Sequence, residues 1–277
     1  MFASIIIPAF NEAPRLCTSL PRLRTAFEGR LDFEVVVVDD GSTDATSDVA
    51  LTELTGWAAA RVVRLPWNRG KGGALKVGIA LAGGDVMVVM DADLSAALDD
   101  VPKLMEGLDD ADIAIGTRMS AGSRVTYTSA SRQTISRAFN AVACSATGVL
   151  ASDTQCGFKA FKGPVAKLLF HLAQTDGFAL DVEVLVLAQL LGYRVVEVPI
   201  GWSEVPGSKV RPLKDAVAML RDLYGARRRA ARAARLLAIR GCERPLMVEM
   251  GSDDVVSGTD MSRAIVDLAP RPSLAGR

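Results

Sequence analysis

The amino-acid sequence predicts an α/β fold in which a mostly parallel sheet carries helices on both faces. Short runs rich in β-branched residues alternate with segments that have the apolar period of a helix, which is the pattern of repeated βαβ units. The strand-like runs are almost continuously apolar, as expected of strands that are buried on both faces. The 277 residues, 49% of them hydrophobic, are enough for one large domain with an appendage.

The first half of the chain supplies most of the predicted elements. Strands are predicted over residues 4–8, 33–38, 61–65, 86–90 and 113–116. After the first strand, apolar residues recur at helical spacing from Leu16 to Phe27, and Asn11 is the predicted N-cap of this helix. A second helix is predicted after Gly72 and Gly73, because apolar residues again follow at helical spacing. Strands and helices thus alternate through this half, which favours the parallel arrangement.

The second half departs from this alternation from about Ser129. We expect a helix over 131–150, the motif DTQCGFK over 153–159, a helix over 180–191, a strand over 194–198 and a loop that contains Lys209. Residues 221–240 hold seven arginines against one aspartate, and the residues after Gly241 are rich in Gly, Ser, Asp and Pro. The expected organisation is a globular domain over 1–212, a basic amphipathic helix over 213–240 and a poorly ordered tail over 241–277.

Charge and cysteine content exclude several functional classes. Lys plus Arg and Asp plus Glu both number 32, so the chain has no overall attraction for nucleic acid. Four cysteines form no C-x-x-C pair and share a single histidine, His171, which argues against a zinc site or a disulfide framework and favours a reduced, cytosolic setting. The start lacks the features of a signal peptide, and no window of about 18 apolar residues occurs, so we expect any membrane attachment to be peripheral.

Four polar loops follow predicted strands directly. They read PAFNE after the first strand, DDGSTD after the second, DADLS after the fourth and GTR after the fifth. In parallel sheets, ligands bind outside the carboxyl ends of the strands, so these loops predict one site at one edge. Within it, Asp91 and Asp93 are oxygen donors of the kind that hold Mg²⁺ or Mn²⁺ together with substrate phosphates.

The motifs together resemble family 2 glycosyltransferases, which have the GT-A fold. The resemblance rests on SIIIPAFNE, VVVVDDGSTD, NRGKGG, DADLS and GTR and extends over about residues 2–212. Within that family the chain resembles the polyprenyl-phosphate branch, and DTQCGFK, ALDVE and WSEVPGSKVRP look closer to the dolichyl-phosphate β-glucosyltransferases and bacterial polyprenyl-phosphate glycosyl synthases than to the mannose synthases. Mannose synthases have an arginine six positions before the lysine that matches Lys209, where this chain has Ser203.

The resemblance implies a nucleotide-sugar donor and a divalent metal, Mg²⁺ or Mn²⁺, held by Asp91 and Asp93. The implied donor-binding residues are Pro8, Phe10, Glu12, Val38, Asp40, Lys71, Asp91, Ala92, Asp93, Ser95 and Lys209. Lys71 lies in NRGKGG at the start of a predicted helix, where free N–H groups attract anions. The alternative for this motif is that its glycines only allow close packing of the helix.

The resemblance also implies that a lipid phosphate is the acceptor and that Arg118, Arg132 and Ser136 hold it. Arg132 and Ser136 are four residues apart and therefore share one face of a helix. A phosphate monoester has a second pKa near ~6, so it needs cationic positioning more than a strong general base. Asp93, Arg118 and Asp181 are the expected catalytic residues. Asp181 and Glu183 are two apart on a helix, so at most one of them is expected to face the site.

The function expected from the resemblance is inverting, metal-dependent transfer from a UDP-hexose or UDP-N-acetylhexosamine to polyprenyl phosphate. The alternatives are a GDP-mannose-dependent synthase, transfer to a saccharide, sugar-nucleotide synthesis, and a non-catalytic sugar-nucleotide-binding subunit at the membrane. Saccharide transfer is disfavoured because the chain lacks a Q-x-x-R-W element. Synthesis of sugar nucleotides would call for a Gly- and Arg/Lys-rich loop where PAFNE stands.

Two segments are candidates for contact with a membrane surface. The helix over 131–150 supplies apolar residues, and residues 221–240 supply positive charge. Near anionic lipid each arginine contributes on the order of 1 kcal/mol. Solvation and a contact in a homo-oligomer are the alternatives for the basic helix. The expected location is the cytoplasmic face of a membrane.

Overall fold

The computed structural model describes residues 1–57, 59–127, 130–205, 222–223 and 225–235, with the backbone alone at residues 130–132 and 135. Some of the sequence predictions therefore lie outside the described residues: Lys209, the side chain of Arg132, the tail over 241–277 and part of the basic helix predicted over 213–240. Of that helix, residues 222–223 and 225–235 are described and are helical.

Seven strands form the main sheet. They are β1 (Ala3–Ala9), β2 (Phe33–Asp39), β3 (Ala60–Arg64), β4 (Val86–Val89), β5 (Ile113–Thr117), β7 (Lys159–Lys162) and β8 (Val195–Pro199). Their order is β3-β2-β1-β4-β7-β5-β8, and β7 alone among them runs antiparallel. A short parallel pair, β6 (Arg124–Thr126) with β9 (Gly201–Ser203), lies beside this sheet. The predicted mostly parallel sheet is confirmed, whereas β7 was not predicted.

Helices cover both faces of the sheet. They are α1 (Ala13–Phe27), α2 (Thr46–Glu53), α3 (Lys71–Leu81), α4 (Val101–Glu106), α5 (Ala130–Thr147), α6 (Gly163–Leu172) and α7 (Leu180–Leu190). Alternate residues of β1 point to opposite faces: Ile5 and Ile7 join the core under α1 and α2, and Ile6 joins the core under α3, α6 and α7. Each face therefore has its own apolar core, which explains the unbroken apolar runs of the strands.

The start of α1 differs from the prediction. Glu12 occupies the N-cap position that was predicted for Asn11. Asn11 instead has a left-handed backbone with φ 53°, and its Oδ1 accepts a hydrogen bond of 2.9 Å from the Thr43 amide. The short polar side chain tolerates this conformation. Asn11 thus joins the loop after β1 to the loop after β2 instead of capping the helix.

The carboxyl ends of the parallel strands meet at one edge, as predicted. β1 and β2 end in register, with Ala9 opposite Asp39. The loops beyond them are hydrogen-bonded to each other, for example between the Asn11 amide and Ser42 Oγ at 2.8 Å. Among the described residues, none of the helices has both the length and the apolar character needed to cross a membrane.

Candidate active site

Four side chains of alternating charge form the centre of this edge. Lys71 Nζ lies 2.8 Å from Asp91 Oδ1 and 3.7 Å from Asp181 Oδ2. Lys159 Nζ lies 2.6 Å from Asp181 Oδ1. The order Asp91, Lys71, Asp181, Lys159 places each inner charge between two opposite ones. Such an arrangement holds carboxylates and ammonium groups in fixed positions without mutual repulsion.

Asp91 is the acidic residue that follows β4 directly. Burial disfavours its charge, but the charge and hydrogen bond of Lys71, with Lys159 and Arg118, outweigh that effect and hold its pKa below the usual range. The Asp91 side chain is 45% exposed, so part of the carboxylate is accessible to solvent or a ligand. Gly157 lies against this carboxylate, and a Cβ at that position would collide with it. The glycine of DTQCGFK therefore makes the space that Asp91 occupies.

Asp93 is fixed by its own loop. Its Oδ1 accepts hydrogen bonds from the Ser95 amide at 3.0 Å and from Ser95 Oγ at 2.7 Å. This local turn fixes the Asp93 carboxylate on the loop after β4, two residues after Asp91. In the described part of the chain, no cluster of three or more His, Cys, Asp or Glu side chains could hold a metal ion. The donor set fits Mg²⁺ or Mn²⁺ bound through two carboxylates, because such ions keep water and substrate phosphates as their other ligands.

Lys71 stands in the first turn of α3. Burial disfavours its charge, yet Asp91 and Asp181 raise its pKa, so the side chain is an ammonium ion at neutral pH. The amides that follow it are not open to an anion: Gly72 N and Gly73 N donate to the Asp176 carbonyl at 2.7 and 3.1 Å. Gly72 and Gly73 therefore do not offer the free N–H groups that were predicted at this helix start, and the alternative of close packing holds for these two glycines.

Asp40 organises the turn that leads into α3. The carboxylate is 2% exposed and accepts hydrogen bonds from the amides of Arg69 at 2.7 Å and Gly70 at 2.8 Å. Burial raises its pKa to about 6, although these two hydrogen bonds and the charge of Arg69 act in the opposite direction. Both carboxylate oxygens thus hold the protein backbone at this edge.

The remaining donor-binding positions have different surroundings. Phe10 is 36% exposed on the loop after β1, so its ring is accessible to a ligand. Glu12 is paired with Arg15 at 3.0 Å. The side chain of Val38 is fully buried in the core, so only its backbone can border a nucleoside. Pro8 and Ser95 are half-buried and Ala92 is buried, and all three lie on β1 or on the loop after β4.

Arg118 is held from two sides after β5. Its Nε and Nη2 donate to the two oxygens of Asp153 at 2.7 and 2.9 Å, and its guanidinium lies 5.2 Å from the ring centre of Trp202. Burial disfavours its charge, but the Asp153 carboxylate raises its pKa, so it stays positive. Asp153 is fully buried. The bidentate pair fixes the plane of the guanidinium at the edge of the sheet.

The expected acceptor residues Arg132 and Ser136 both lie on α5. The backbone is helical across this stretch, so the two positions share a helix face as predicted, and Ser136 is half-buried. Asn140 ties α5 to the DTQCGFK loop, because its Oδ1 accepts hydrogen bonds from the amide and hydroxyl of Thr154 at 2.9 and 2.7 Å. α5 is therefore fixed beside the residue that anchors Arg118.

Asp181 and Glu183 point in different directions, as their spacing predicted. Asp181 faces Lys71 and Lys159, whereas Glu183 Oε2 accepts a hydrogen bond of 2.7 Å from the Thr175 amide. Asp181 is thus the carboxylate of α7 that belongs to the site. Cys156 is a small buried residue, and burial raises the pKa of its thiol to about 11.

Three residues of the site were not predicted: Lys159, Asp153 and Trp202. Asp153 and Lys159 stand in the motif DTQCGFK, and Trp202 opens the motif WSEVPGSKVRP. The motifs were therefore informative, but their partners Asp181 and Arg118 are distant in sequence, and spacing alone gives no sign of such pairs. A lysine next to an apolar strand segment, as in GFKAF, was the available signal.

Residues 4–166 match the sequence profile of glycosyl transferase family 2. The chain is 34% identical over 236 residues to the dolichyl-phosphate beta-glucosyltransferase of Homo sapiens, which covers 79% of this chain and 73% of that protein. It is 36% identical over 237 residues to the protein of the same name from Drosophila melanogaster, with 80% and 73% covered. For the Saccharomyces cerevisiae protein, the identity is 31% over 246 residues, with 80% and 73% covered.

Solved structures share the fold. Glucosyl-3-phosphoglycerate synthase from Mycobacterium tuberculosis in complex with UDP superposes with a TM-score of 0.59 at 22% identity, covering 83% of this chain and 80% of that one. The complex of the same enzyme with Mn²⁺, UDP-glucose and phosphoglyceric acid gives a TM-score of 0.59 at 20% identity, with the same coverage of 83% and 80%. At these identities the likeness shows the fold alone.

Proposed function

The chain belongs to glycosyl transferase family 2, and on that basis we propose that it transfers a sugar from a UDP-sugar to a polyprenyl phosphate. It is a glycosyltransferase with a GT-A fold. The donor and acceptor are proposed from two carboxylates and two fixed cations that lie at one edge of the sheet. Asp91 and Asp93 would serve the leaving diphosphate and its metal, and Lys71 and Arg118 would bind phosphate groups.

The acceptor is proposed from the relatives. The proteins from Homo sapiens, Drosophila melanogaster and Saccharomyces cerevisiae are all named dolichyl-phosphate beta-glucosyltransferase. Arg118, positioned by Asp153 and Trp202, would bind the phosphate head of a lipid of that class together with Arg132 and Ser136 on α5. The product would be a polyprenyl-phosphate β-sugar.

The donor is proposed to be a UDP-hexose or UDP-N-acetylhexosamine, with UDP-glucose as the first to test. Glucose is the sugar in the names of the relatives. Position 203 is a serine on β9, where mannose synthases of the family have an arginine, so GDP-mannose is the second choice. Phe10 and Asp40 would border the nucleoside, one with an accessible ring and the other with a buried carboxylate that fixes the neighbouring turn.

Asp91 and Asp93 would hold Mg²⁺ or Mn²⁺. When bound, the ion would supply Lewis-acid neutralisation of the leaving diphosphate. Lys71, which lies 2.8 Å from Asp91, would contact the diphosphate beside that site. Asp181 holds Lys71 and Lys159 in place, so we assign it a positioning role for the cations.

The chemistry requires little proton transfer. A lipid phosphate oxygen would attack the sugar C1 from the face opposite UDP, forming the new C1–O bond while the bond to UDP breaks and UDP takes the electron pair. Because a phosphate monoester is largely dianionic at neutral pH, the attack needs no strong base. Arg118 would reduce the repulsion between the lipid phosphate and the diphosphate of the donor. Because its guanidinium is already fixed, no free energy is needed to reorient it during the reaction.

Contact with a membrane surface follows from the same proposal, because a polyprenyl chain is insoluble in water. α5 contains no Asp or Glu, and its exposed side from Ala138 to Ala146 is apolar except for Ser145. The exposed residues of that side and of the turn beyond it include Ala138, Ala141, Val142, Ala146 and Leu150. Residues 225–235 add exposed arginines at positions 227, 228, 232 and 235. An apolar strip beside positive charge is the pattern of a peripheral membrane contact.

Substitution of Asp93 by alanine tests the proposed metal and diphosphate site. We expect Asp93→Ala to lower kcat/KM for Mn²⁺-stimulated transfer roughly 100-fold, since one of two carboxylate ligands is removed. Transfer of labelled glucose from UDP-glucose to a polyprenyl phosphate would be measured against Mn²⁺ concentration.

The matched control is Asp99→Ala. Asp99 is exposed and lies six residues farther along the chain, in the short 3-10 helix just before α4. Its replacement is expected to leave kcat/KM within about twofold of the wild-type value, as for most surface substitutions. Full metal-stimulated activity in Asp93→Ala would refute the assignment.

A further inference from the structure

The loop between α6 and α7 holds the first turn of α3. The Asp176 carbonyl accepts hydrogen bonds from Gly72 N and Gly73 N, and its carboxylate accepts a hydrogen bond of 2.9 Å from Lys76. Any side chain at Gly72 would collide with the backbone of Asp176. The position of this loop therefore sets the position of the turn that carries Lys71.

Glu183 of α7 holds this loop in turn. Its Oε2 accepts hydrogen bonds from the amides of Gln174 at 3.2 Å and Thr175 at 2.7 Å. Glu183 is 1% exposed, so its charge is deprived of water and depends on partners within the protein.

Arg229, in the helix over residues 225–235, supplies the balancing charge. Its Nε lies 3.0 Å from Glu183 Oε1, and its Nη2 donates to Thr175 Oγ1 at 2.8 Å and to the Asp222 carbonyl at 3.2 Å. A planar guanidinium can make these contacts together, whereas a lysine cannot. The arginine-rich segment is thus joined to the loop that supports α3.

We propose that Arg229 and Glu183 are positioning residues for the diphosphate side of the donor site. They act through the loop at Asp176 and the first turn of α3, which carries Lys71. The inference rests on the proposed function, in which Lys71 meets the diphosphate. It gives the arginine-rich segment a second role: Arg229 turns inward to Glu183, while the exposed arginines of the same helix face outward.

The variants that test this are Arg229→Gln and, as matched control, Arg232→Gln. Both remove one positive charge from the same helix, but Arg232 is exposed. UDP binding in the presence of Mn²⁺ would be measured by titration calorimetry. We expect Arg229→Gln to raise the Kd for UDP roughly tenfold, about the effect of one charge-assisted hydrogen bond, and Arg232→Gln to leave it within about twofold.

Backbone hydrogen exchange supplies a readout that does not depend on activity. In Arg229→Gln the amides of Gly72, Gly73 and Thr175 should exchange roughly tenfold faster, while the amides of β1 and β2 keep their protection. A general loss of stability would accelerate all of these amides together. Arg229→Lys retains the pairing with Glu183 but not the full set of contacts. Its Kd for UDP should therefore lie between the Kd of Arg232→Gln and the Kd of Arg229→Gln.

A double-mutant cycle tests whether the two residues act through one contact. If Glu183 and Arg229 act through one contact, the double variant Glu183→Gln/Arg229→Gln should raise the KM for the donor about as much as either single variant does. The kcat should change less than about threefold. Multiplicative effects, or equal Kd values for Arg229→Gln and Arg232→Gln, would overturn the inference.

These outcomes are separable from the fate of the proposed function. UDP binding and amide exchange need no acceptor, so a wild-type protein that binds UDP but glycosylates no polyprenyl phosphate would refute the acceptor and leave this test intact. A protein that transfers sugar to the lipid, yet shows unchanged exchange at Gly72 and Gly73 in Arg229→Gln, would refute the inference alone.

Discussion

Lys159 is a buried cation whose partners are both internal. Its side chain is 2% exposed, and its Nζ donates to Asp181 Oδ1 and to the Cys156 carbonyl. When one member of a buried ion pair is removed, the other charge is left without compensation. The resulting loss of folding free energy is larger than the net stabilisation that the intact pair provides. Asp181 would then have Lys71 as its remaining cation in this cluster.

We expect Lys159→Met to lower the free energy of unfolding by about 3 kcal/mol, since Asp181 loses its nearest positive charge in a buried setting. Urea denaturation followed by circular dichroism would measure this value. Lys162→Met is the control on the same strand, because the Lys162 side chain is 45% exposed and lies 3.5 Å from Asp112. An exposed pair of this kind contributes at most about 1 kcal/mol. Equal losses in the two variants would contradict the assignment.

Asp40 makes stability depend on pH. Its pKa in the folded protein is about 6, above the ordinary value of 3.8, because burial disfavours the charge. The folded state therefore binds the proton more tightly than the unfolded chain does. Stabilisation from the protonated carboxyl is complete below about pH 4 and is lost as the pH rises through about 6.

The difference in unfolding free energy between the wild type and Asp40→Asn isolates this effect, because the asparagine does not titrate. We expect the wild type to lose on the order of 2 kcal/mol relative to Asp40→Asn between about pH 4 and pH 7. A difference that is constant or rises with pH would show that the carboxyl is not destabilised by burial.

Sequence reasoning identified the residues of the site whose position follows from a strand end. Asp91, Asp93 and Arg118 come directly after β4 and β5, and the edge of a parallel sheet brings such residues together. Lys159 and Asp153 were missed because their partners lie 22 and 35 residues away along the chain. Pairing across such distances depends on the tertiary packing and has no local signal.

At the scale of elements, β7 is another feature that has no local signal in the sequence. The four residues from Lys159 to Lys162 are too few for a period to be recognised, and their antiparallel pairing with β4 and β5 is decided by the fold. The long apolar strands β1 and β2 were predicted almost to their ends, because burial on both faces leaves a continuous sequence signal.

The helix over 225–235 has two sides with different surroundings. Arg229 is turned toward Glu183, whereas Arg227, Arg232 and Arg235 are exposed. Replacement of these three exposed arginines by glutamine should weaken binding to vesicles that contain anionic lipid at least tenfold, because each contributes up to about 1 kcal/mol near such a surface. Sedimentation with vesicles at low and high salt would measure the change.

A second triple variant, which also loses three positive charges, provides the control. Arg22, Arg30 and Arg194 are exposed and lie in the second half of α1, in the turn after it, and just before β8, away from the carboxyl edge. Their replacement by glutamine should change vesicle binding less than about twofold if the docking surface is local. Equal weakening in both triple variants would mean that only net charge matters.

At the scale of the whole molecule, the chain is neutral overall but its charges are sorted by position. Lys plus Arg and Asp plus Glu both number 32, yet the carboxyl edge combines fixed carboxylates with fixed cations, and the arginine-rich helix is joined to that edge through Arg229. The proposed donor site and the proposed membrane contact are thus connected through Arg229, Glu183 and the loop at Asp176. This connection suits an enzyme whose two substrates come from water and from a lipid surface.

The transfer reaction itself tests the central claim most directly. Purified protein would be incubated with Mg²⁺ or Mn²⁺, a polyprenyl phosphate and radiolabelled UDP- and GDP-sugars in separate reactions. The account predicts metal-dependent appearance of label in the lipid fraction from a UDP-hexose or UDP-N-acetylhexosamine, with release of one UDP for each sugar transferred. Release of UDP without labelled lipid, for every sugar tested, would contradict it.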